Sequence, residues 1–310
     1  MSIANGGKVY LVGAGPGNPN LLTKQAERLI READIILYDR LVNPLILQYA
    51  SEKAVFVNVG KKPYHKHIQQ VQINHKMIAA AHQYKHVVRL KGGDPAIFGR
   101  VYEELEALKQ QAIEVEIVPG ITSASAAAAT MNVGLTMRQV APSVTFSTGH
   151  FKDDVSNETD IRNLRNGGTL AIYMGVKRLG HIIQQITAVS TEDYPIAVIF
   201  NASWYNETTV IGRLSTIEAQ LTKINLEGQP GICLVGPIVE HMSQIPKANS
   251  RDSILKILVG EKEQALIQAE HLADIGTPCL IQPSETAHQS QHDLFQHIIA
   301  QHQCDYIYME

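Results

Sequence analysis

The chain has few cysteines and no excess charge of one sign. Its three cysteines, Cys233, Cys279 and Cys304, are odd in number and widely separated. That excludes a disulfide framework and any Cys-x-x-Cys zinc or redox motif, and a reducing cytoplasm suits it. Lys+Arg 27 against Asp+Glu 30 leaves a net charge of −3, so nothing draws the chain toward nucleic acid or a membrane surface. No apolar run approaches the ~18 residues that a membrane span needs. The opening MSIANGGKVYLVGAG holds one lysine and a short apolar run ending in glycines, and reads as neither signal peptide nor anchor. Disorder is excluded by a composition 45% hydrophobic and 18% charged, and 310 residues suffice for two domains.

Histidine, by contrast, is plentiful, with 13 copies, several of them clustered. His82 and His86, and again His288 and His292, have the four-residue spacing of a helical ligand pair. Neither pair is joined by cysteines or by an HExxH motif, so they read as solvated helix faces, and no metal is expected.

The first half alternates in a βαβ rhythm. VYLVGAG, IILYD, AVFVNVGK, HVVRLKGGDP and VEIVPG read as short apolar strands, separated by amphipathic stretches such as NLLTKQAERLIREA and VYEELEALKQQA. Strands apolar on both faces, alternating with helices, form a parallel sheet covered on both sides. From Gly120 the pattern changes to a small-residue helix, ITSASAAAATMNV, and closely spaced strands that suggest a second α/β unit with a mixed sheet. After about Gln244, IPKANSRDS reads as a linker into a further β-α-β-α-β stretch, too short to be secure as a separate core. The expected division is 1–118, 119–245 and 246–310.

Three strand ends carry glycines: Gly13-Ala14-Gly15-Pro16-Gly17, Lys91-Gly92-Gly93-Asp94-Pro95 and Pro119-Gly120-Ile121-Thr122-Ser123. In open parallel sheets ligands bind at the carboxyl ends of strands, where glycine lets the backbone approach them. Asp39 closes the second strand, as the ribose-binding acid of a nicotinamide enzyme does. Against a dinucleotide site, the third glycine of GxGxxG is Asn18 here, and Pro16 removes a donor from the loop. Three such turns on one edge of a parallel sheet predict a pocket.

The ordered set VYLVGAGPGNP, DIILYDRLV, VNVGKK, VVRLKGGDPAIFGR, VPGITSASAA, SVTFSTGH and IYMG resembles the tetrapyrrole methylase family, over roughly residues 8–240. Within that family the wording is similar to the branch that methylates uroporphyrinogen III. The resemblance implies two α/β domains with a cleft between them, a homodimer, S-adenosylmethionine as methyl donor, and two methyl transfers that give precorrin-2 for siroheme or cobalamin synthesis. It implies cofactor contacts at Pro16, Gly92, Gly93, Asp94, Ile97, Thr122, Ser123, Met174 and Ala202. It implies proton transfer by Asp39 and Lys61, and substrate handling by Arg100 and Glu103. A later precorrin methylase and a non-catalytic binding subunit are the alternatives. The tail is similar to the opening of a uroporphyrinogen-III synthase, as a remnant would be.

Methylation at a pyrrole carbon needs no protein nucleophile, because the electron-rich ring attacks the sulfonium methyl. It needs alignment, a carboxylate for the cationic ring and its departing proton, and cations for the acetate and propionate groups. Asp39 and Glu103 suit the carboxylate's task; Arg40, Lys61, Lys62, Arg100 and Arg138 suit the cations', with arginine the better fork for carboxylates. The chain departs from the family at Val101 and Tyr102, where two glycines are usual, and at Ala202, usually glycine. It departs again at Met137-Arg138-Gln139, usually His-Arg-Gly.

Overall fold

The computed structural model describes residues 6–60, 70–149, 158–224, 226, 228–243 and 254–309, with side chains from 161 onward in the third stretch. The chain forms two compact units, residues 1–122 with 247–310, and residues 123–246.

The first unit is built on five strands: β1 (Lys8–Gly13), β2 (Ile35–Tyr38), β3 (Val55–Asn58), β4 (His86–Lys91) and β5 (Val115–Val118). They lie in the order β3-β2-β4-β1-β5, and every pairing is parallel. Four helices connect them: α1 (Lys24–Glu32), α2 (Pro44–Leu47), α3 (Gln70–Gln83) and α4 (Val101–Lys109). Thr23 sets the start of α1, its Oγ1 accepting from Ala26 N at 3.1 Å. In α3, Ile73, Met77, Ala80 and Ala81 share one face at helical spacing and are buried against the sheet. Both faces of β2 are buried, as covering helices require.

The second unit opens with α5 (Ser123–Thr130) and carries β6 (Val144–Thr148), α6 (Glu158–Arg165), β7 (Thr169–Tyr173) and α7 (Leu179–Val189). It continues with β8 (Pro195–Phe200), β9 (Thr208–Arg213), α8 (Ile217–Leu221) and β10 (Gly231–Val235). The sheet order is β6-β7-β10-β8-β9, with β6 and β7 parallel and the remaining pairs antiparallel, the mixed sheet that the strand spacing suggests. Ala124 and Ala127 of α5 are buried with Ile232 and Leu234 of β10, where small side chains permit close approach.

The last stretch comprises β11 (Leu255–Val259), α9 (Lys262–Asp274), β12 (Cys279–Ile281), α10 (Gln289–Ile299) and β13 (Cys304–Tyr308). It is a three-stranded parallel sheet in the order β12-β11-β13. It has no core of its own: Leu255, Ile257, Leu266, Leu280 and Phe295 join one apolar cluster with Ile36, Leu45, Ile46 and Phe56. Gln48 closes the β12 edge as a strand would, accepting from Ile281 N at 2.8 Å and donating to Ile281 O at 2.5 Å. Gln291 donates to the carbonyls of Ser51, Glu52 and Ala54, and Tyr49 donates to Glu270 at 2.6 Å.

The paired histidines do not share helix faces. His82 is on α3, but His86 opens β4 and stacks on Tyr10 with centroids 6.5 Å apart. His288 precedes α10 and caps it, Nδ1 accepting from Ser290 N at 3.2 Å. Cys233 on β10 and Cys279 on β12 are buried, and Cys304 is half-buried. Among the described residues no helix is long and apolar enough to cross a membrane.

Candidate active site

Because β4, β1 and β5 are neighbours and parallel, their three glycine turns emerge on one edge of the sheet. They interlock there, backbone against backbone. Gly15 N donates to Gly93 O at 3.1 Å, and Gly93 N donates to Gly15 O at 2.7 Å. Both residues have φ near +70°, which glycine adopts without strain. A Cβ on Gly120 would lie 2.3 Å from Gly93 O and 2.9 Å from Gly13 Cα, so no side chain fits at the junction. The glycines are therefore required by the packing of three strand ends, and the turns they form carry Pro16, Gly92, Asp94 and Thr122 around one edge.

The turn after Gly93 is tightly wound. Asp94 Oδ1 accepts from Ala96 N at 2.8 Å, and its carbonyl accepts from Ile97 N at 3.1 Å. Phe98 and Arg100 follow with φ of 51° and 54°, left-handed values uncommon for such side chains. Phe98 is 41% exposed and Tyr102 68%, while Leu41, beyond β2, is 47% exposed, so this edge presents large apolar side chains.

Beneath it runs a chain of alternating charges. Asp39 follows β2, and Arg89 Nη2 on adjacent β4 donates to its Oδ1 at 2.7 Å. Arg89 Nε reaches Glu104 Oε1 at 3.2 Å, and Lys91 Nζ reaches Glu104 Oε2 at 2.9 Å. Arg89, Glu104 and Lys91 are the only buried charged residues among those described, whereas Asp39 is half-buried. Burial pushes the Lys91 ammonium below its ordinary value and Arg89 adds to that, against the pull of Glu104.

Arg100 and Glu103 are brought together, Nε to Oε1 at 2.9 Å in the first turn of α4, both substantially exposed. Arg100 holds the Glu103 carboxyl below the usual carboxylate range. Asp39 is engaged by Arg89, a residue the motif reading did not single out. Lys61 and Lys62 lie outside the described residues.

In the second unit, Met174 follows β7 at φ 54° and is 48% exposed, so it is not core filler. Beside it Gly149 and Gly175 meet, a Cβ on Gly149 falling 2.5 Å from Gly175 Cα. Ala202 is buried and is not among the residues with positive φ; its neighbours Asn201 and Ser203 take that conformation, at 49° and 68°. The methyl at 202 is thus carried without backbone strain. Gln139 keeps φ of 67° where the family usually has glycine. Met137 is half-buried beside the core of this unit, with its backbone bridged to Ala141 at 2.8 Å in both directions.

A cavity of about 340 Å³ lies elsewhere in the first unit, along the seam between α2, β3 and the last sheet. Gln48, Phe56, Lys262, Ile281 and Phe295 line it, and none of the glycine-turn residues does.

Comparison with known proteins accords with this geometry. Residues 8–218 match the family model "Tetrapyrrole (Corrin/Porphyrin) Methylases". The chain is 45% identical over 235 residues to uroporphyrinogen-III C-methyltransferase of Priestia megaterium, covering 75% of this chain and 98% of that protein. It is 42% identical over 243 residues to the enzyme of that name from Cyanidium caldarium, covering 77% and 96%. A solved structure of uroporphyrin-III C-methyl transferase from Thermus thermophilus, complexed with S-adenyl homocysteine, superposes with a TM-score of 0.64 at 34% identity, covering 76% of this chain and 100% of that one. The chain belongs to the tetrapyrrole methylase family.

Proposed function

We propose that the chain is a methyltransferase that transfers two methyl groups from S-adenosylmethionine to uroporphyrinogen III, giving precorrin-2 for siroheme or cobalamin synthesis. The observation that carries this is the interlocked glycine edge beside a carboxylate fixed by a buried arginine. Relatives named for this reaction over nearly their whole length support it.

The site fits the methyl donor. Side-chain-free backbone at Gly92 and Gly93, the half-buried Asp94 and Ile97, and Pro16 and Thr122 on adjoining turns offer polar backbone and one carboxylate to a nucleoside-bearing ligand. By the resemblance to the family, Ser123, Met174 and Ala202 are proposed as further contacts of the donor. When bound, S-adenosylmethionine supplies an electrophilic methyl on a sulfonium. The half-buried Asp39 carboxylate stabilises the ring made cationic by attack and accepts the proton it loses. Lys61 is assigned the complementary proton transfer. Exposed Arg100 anchors a substrate acetate or propionate, with Glu103 orienting its guanidinium. Leu41, Phe98 and Tyr102 offer apolar surface to a macrocycle. The chain works as a homodimer, and residues 246–310 are an appendage to the methylase, derived from a synthase-like domain.

The test is direct: purified protein with uroporphyrinogen III and labelled S-adenosylmethionine should yield a doubly methylated product by mass. Absence of transfer to uroporphyrinogen III, with transfer to a precorrin, overturns the substrate assignment. Asp39→Asn should lower kcat by about 10²-fold or more, the usual contribution of a positioned proton acceptor.

A further inference from the structure

We infer that Arg89 is a positioning residue for the Asp39 carboxylate, and that Glu104 and Lys91 are there to hold Arg89. The inference rests on the proposed role of Asp39 and assigns the machinery behind it.

The observations begin with cost. Ionised groups taken out of water are expensive, and well-packed apolar side chains usually serve stability as well or better. Yet the three buried charged side chains among the described residues lie together, on β4 and α4, behind the proposed proton acceptor. Elsewhere the face of the sheet that carries Val87 is filled by Val9, Leu11, Leu37, Met77 and Leu108. A charged cluster confined to this spot is placed for what it holds.

Geometry says what that is. Asp39 opens a turn at the end of β2: its N donates to Leu90 O of β4 at 3.3 Å, and its carbonyl accepts from Val42 N at 3.2 Å, which fixes its backbone while the side chain is held by Arg89. Arg89 reaches it from inside the sheet. The guanidinium is fixed on every side: Nη1 donates to Leu90 O at 3.0 Å and Leu37 O at 3.4 Å, Nε to Glu104 Oε1, and Nη2 to Asp39 Oδ1. Only a planar fork serves these acceptors at once; a lysine at 89 keeps the charge and loses the angles. Glu104 is held in turn by Lys91 and by Gln70 Nε2 at 3.3 Å. The four charges sum to zero, so the assembly fixes a carboxylate without leaving an unbalanced buried ion. A displacement of about 1 Å in a reacting group costs about 10²-fold in rate, which gives such fixing its value.

The test is kinetic, on the full chain with uroporphyrinogen III and S-adenosylmethionine. Arg89→Lys and Arg89→Gln should lower kcat at least tenfold, with KM for both substrates within twofold of the parent. In the Asp39→Asn background, Arg89→Gln should cause no further loss. Should Arg89→Gln fail to fold, Glu104→Gln, which keeps the shape of its side chain, replaces it and should show the same kcat-only, non-additive loss. Equal losses in both backgrounds, or full activity of Arg89→Lys, would overturn the inference while leaving the role of Asp39 intact. Full activity of Asp39→Asn would remove the role of Asp39 and the inference together.

Discussion

The first unit contains two parallel sheets in which an interior strand, β1 in one and β11 in the other, runs into a glycine, and the two glycines do different work. Gly13 meets the glycines of two neighbouring strand ends, so nothing but backbone occupies the junction. Gly260, after β11, meets the side chain that follows the neighbouring parallel strand β13: a Cβ there would lie 2.7 Å from Met309 Cβ. The acids beside the two glycines differ too. Glu261, directly after Gly260, caps α9, accepting from Gln264 N at 2.9 Å, whereas Asp39, at the end of β2, is held by Arg89 of β4, and the cap of the helix after it is Asn43. A strand-to-glycine-to-helix sequence is therefore only a precondition. A site needs glycine at adjacent strand ends and an acid that its own helix does not use.

That contrast can be broken at several points. The largest effect is expected at the main junction: Gly120→Ala forces a methyl against Gly93 O, and should destabilise the protein by about 3 kcal/mol, the upper end for overpacking. Chemical unfolding measures it, and an unchanged midpoint would contradict the interlock. Next comes the attachment of the second sheet. Gln48→Ala removes both bonds to Ile281 and strands a backbone pair, costing about 1–3 kcal/mol, while methyl transfer stays as it was. Early proteolytic cleavage in β12 would report it.

A smaller effect is tied to pH. Hydroxyls of Ser284 and Thr286 hold the Glu52 carboxyl below the usual carboxylate range. A depressed carboxylate contributes stability that is full above its unfolded value, about 4.3, and is lost as pH falls through the folded value. Thermal melts from pH 7 to about pH 3 should therefore converge for the parent and Glu52→Gln at the acid end, the parent being the more stable at neutral pH. The smallest change is expected for Glu261→Gln at the exposed start of α9: a slight drop in Tm, with no effect on catalysis.

The strands and their order of use were legible because each is a short apolar run stopped by glycine or an acid, and a parallel sheet then places every glycine turn on one edge. What was not legible is which charges go inside. Glu103 and Glu104 are adjacent in sequence, and the motif drew attention to Glu103, which is exposed. Glu104 is four residues before buried Leu108, on the inward stripe of α4, and that phase was a usable signal. Arg89 was hidden in the same way: it interrupts a strand, VVRLK, whose two faces must both be covered, and a charge there requires a partner. The backbone cost at position 202 was also beyond reach, since nothing in the sequence tells that Asn201 and Ser203, and not residue 202, take the left-handed conformation.

The buried cysteines have a practical consequence. Desolvation pushes the thiols of Cys233 and Cys279 up to about 12, so neither forms a thiolate in the folded protein at neutral pH. One sits in each compact unit, in β10 and in β12. An alkylating reagent in excess would therefore consume each only as fast as its own unit opens. Peptide mapping of a timed reaction would then read the opening rates of the two units separately, from one unmodified protein.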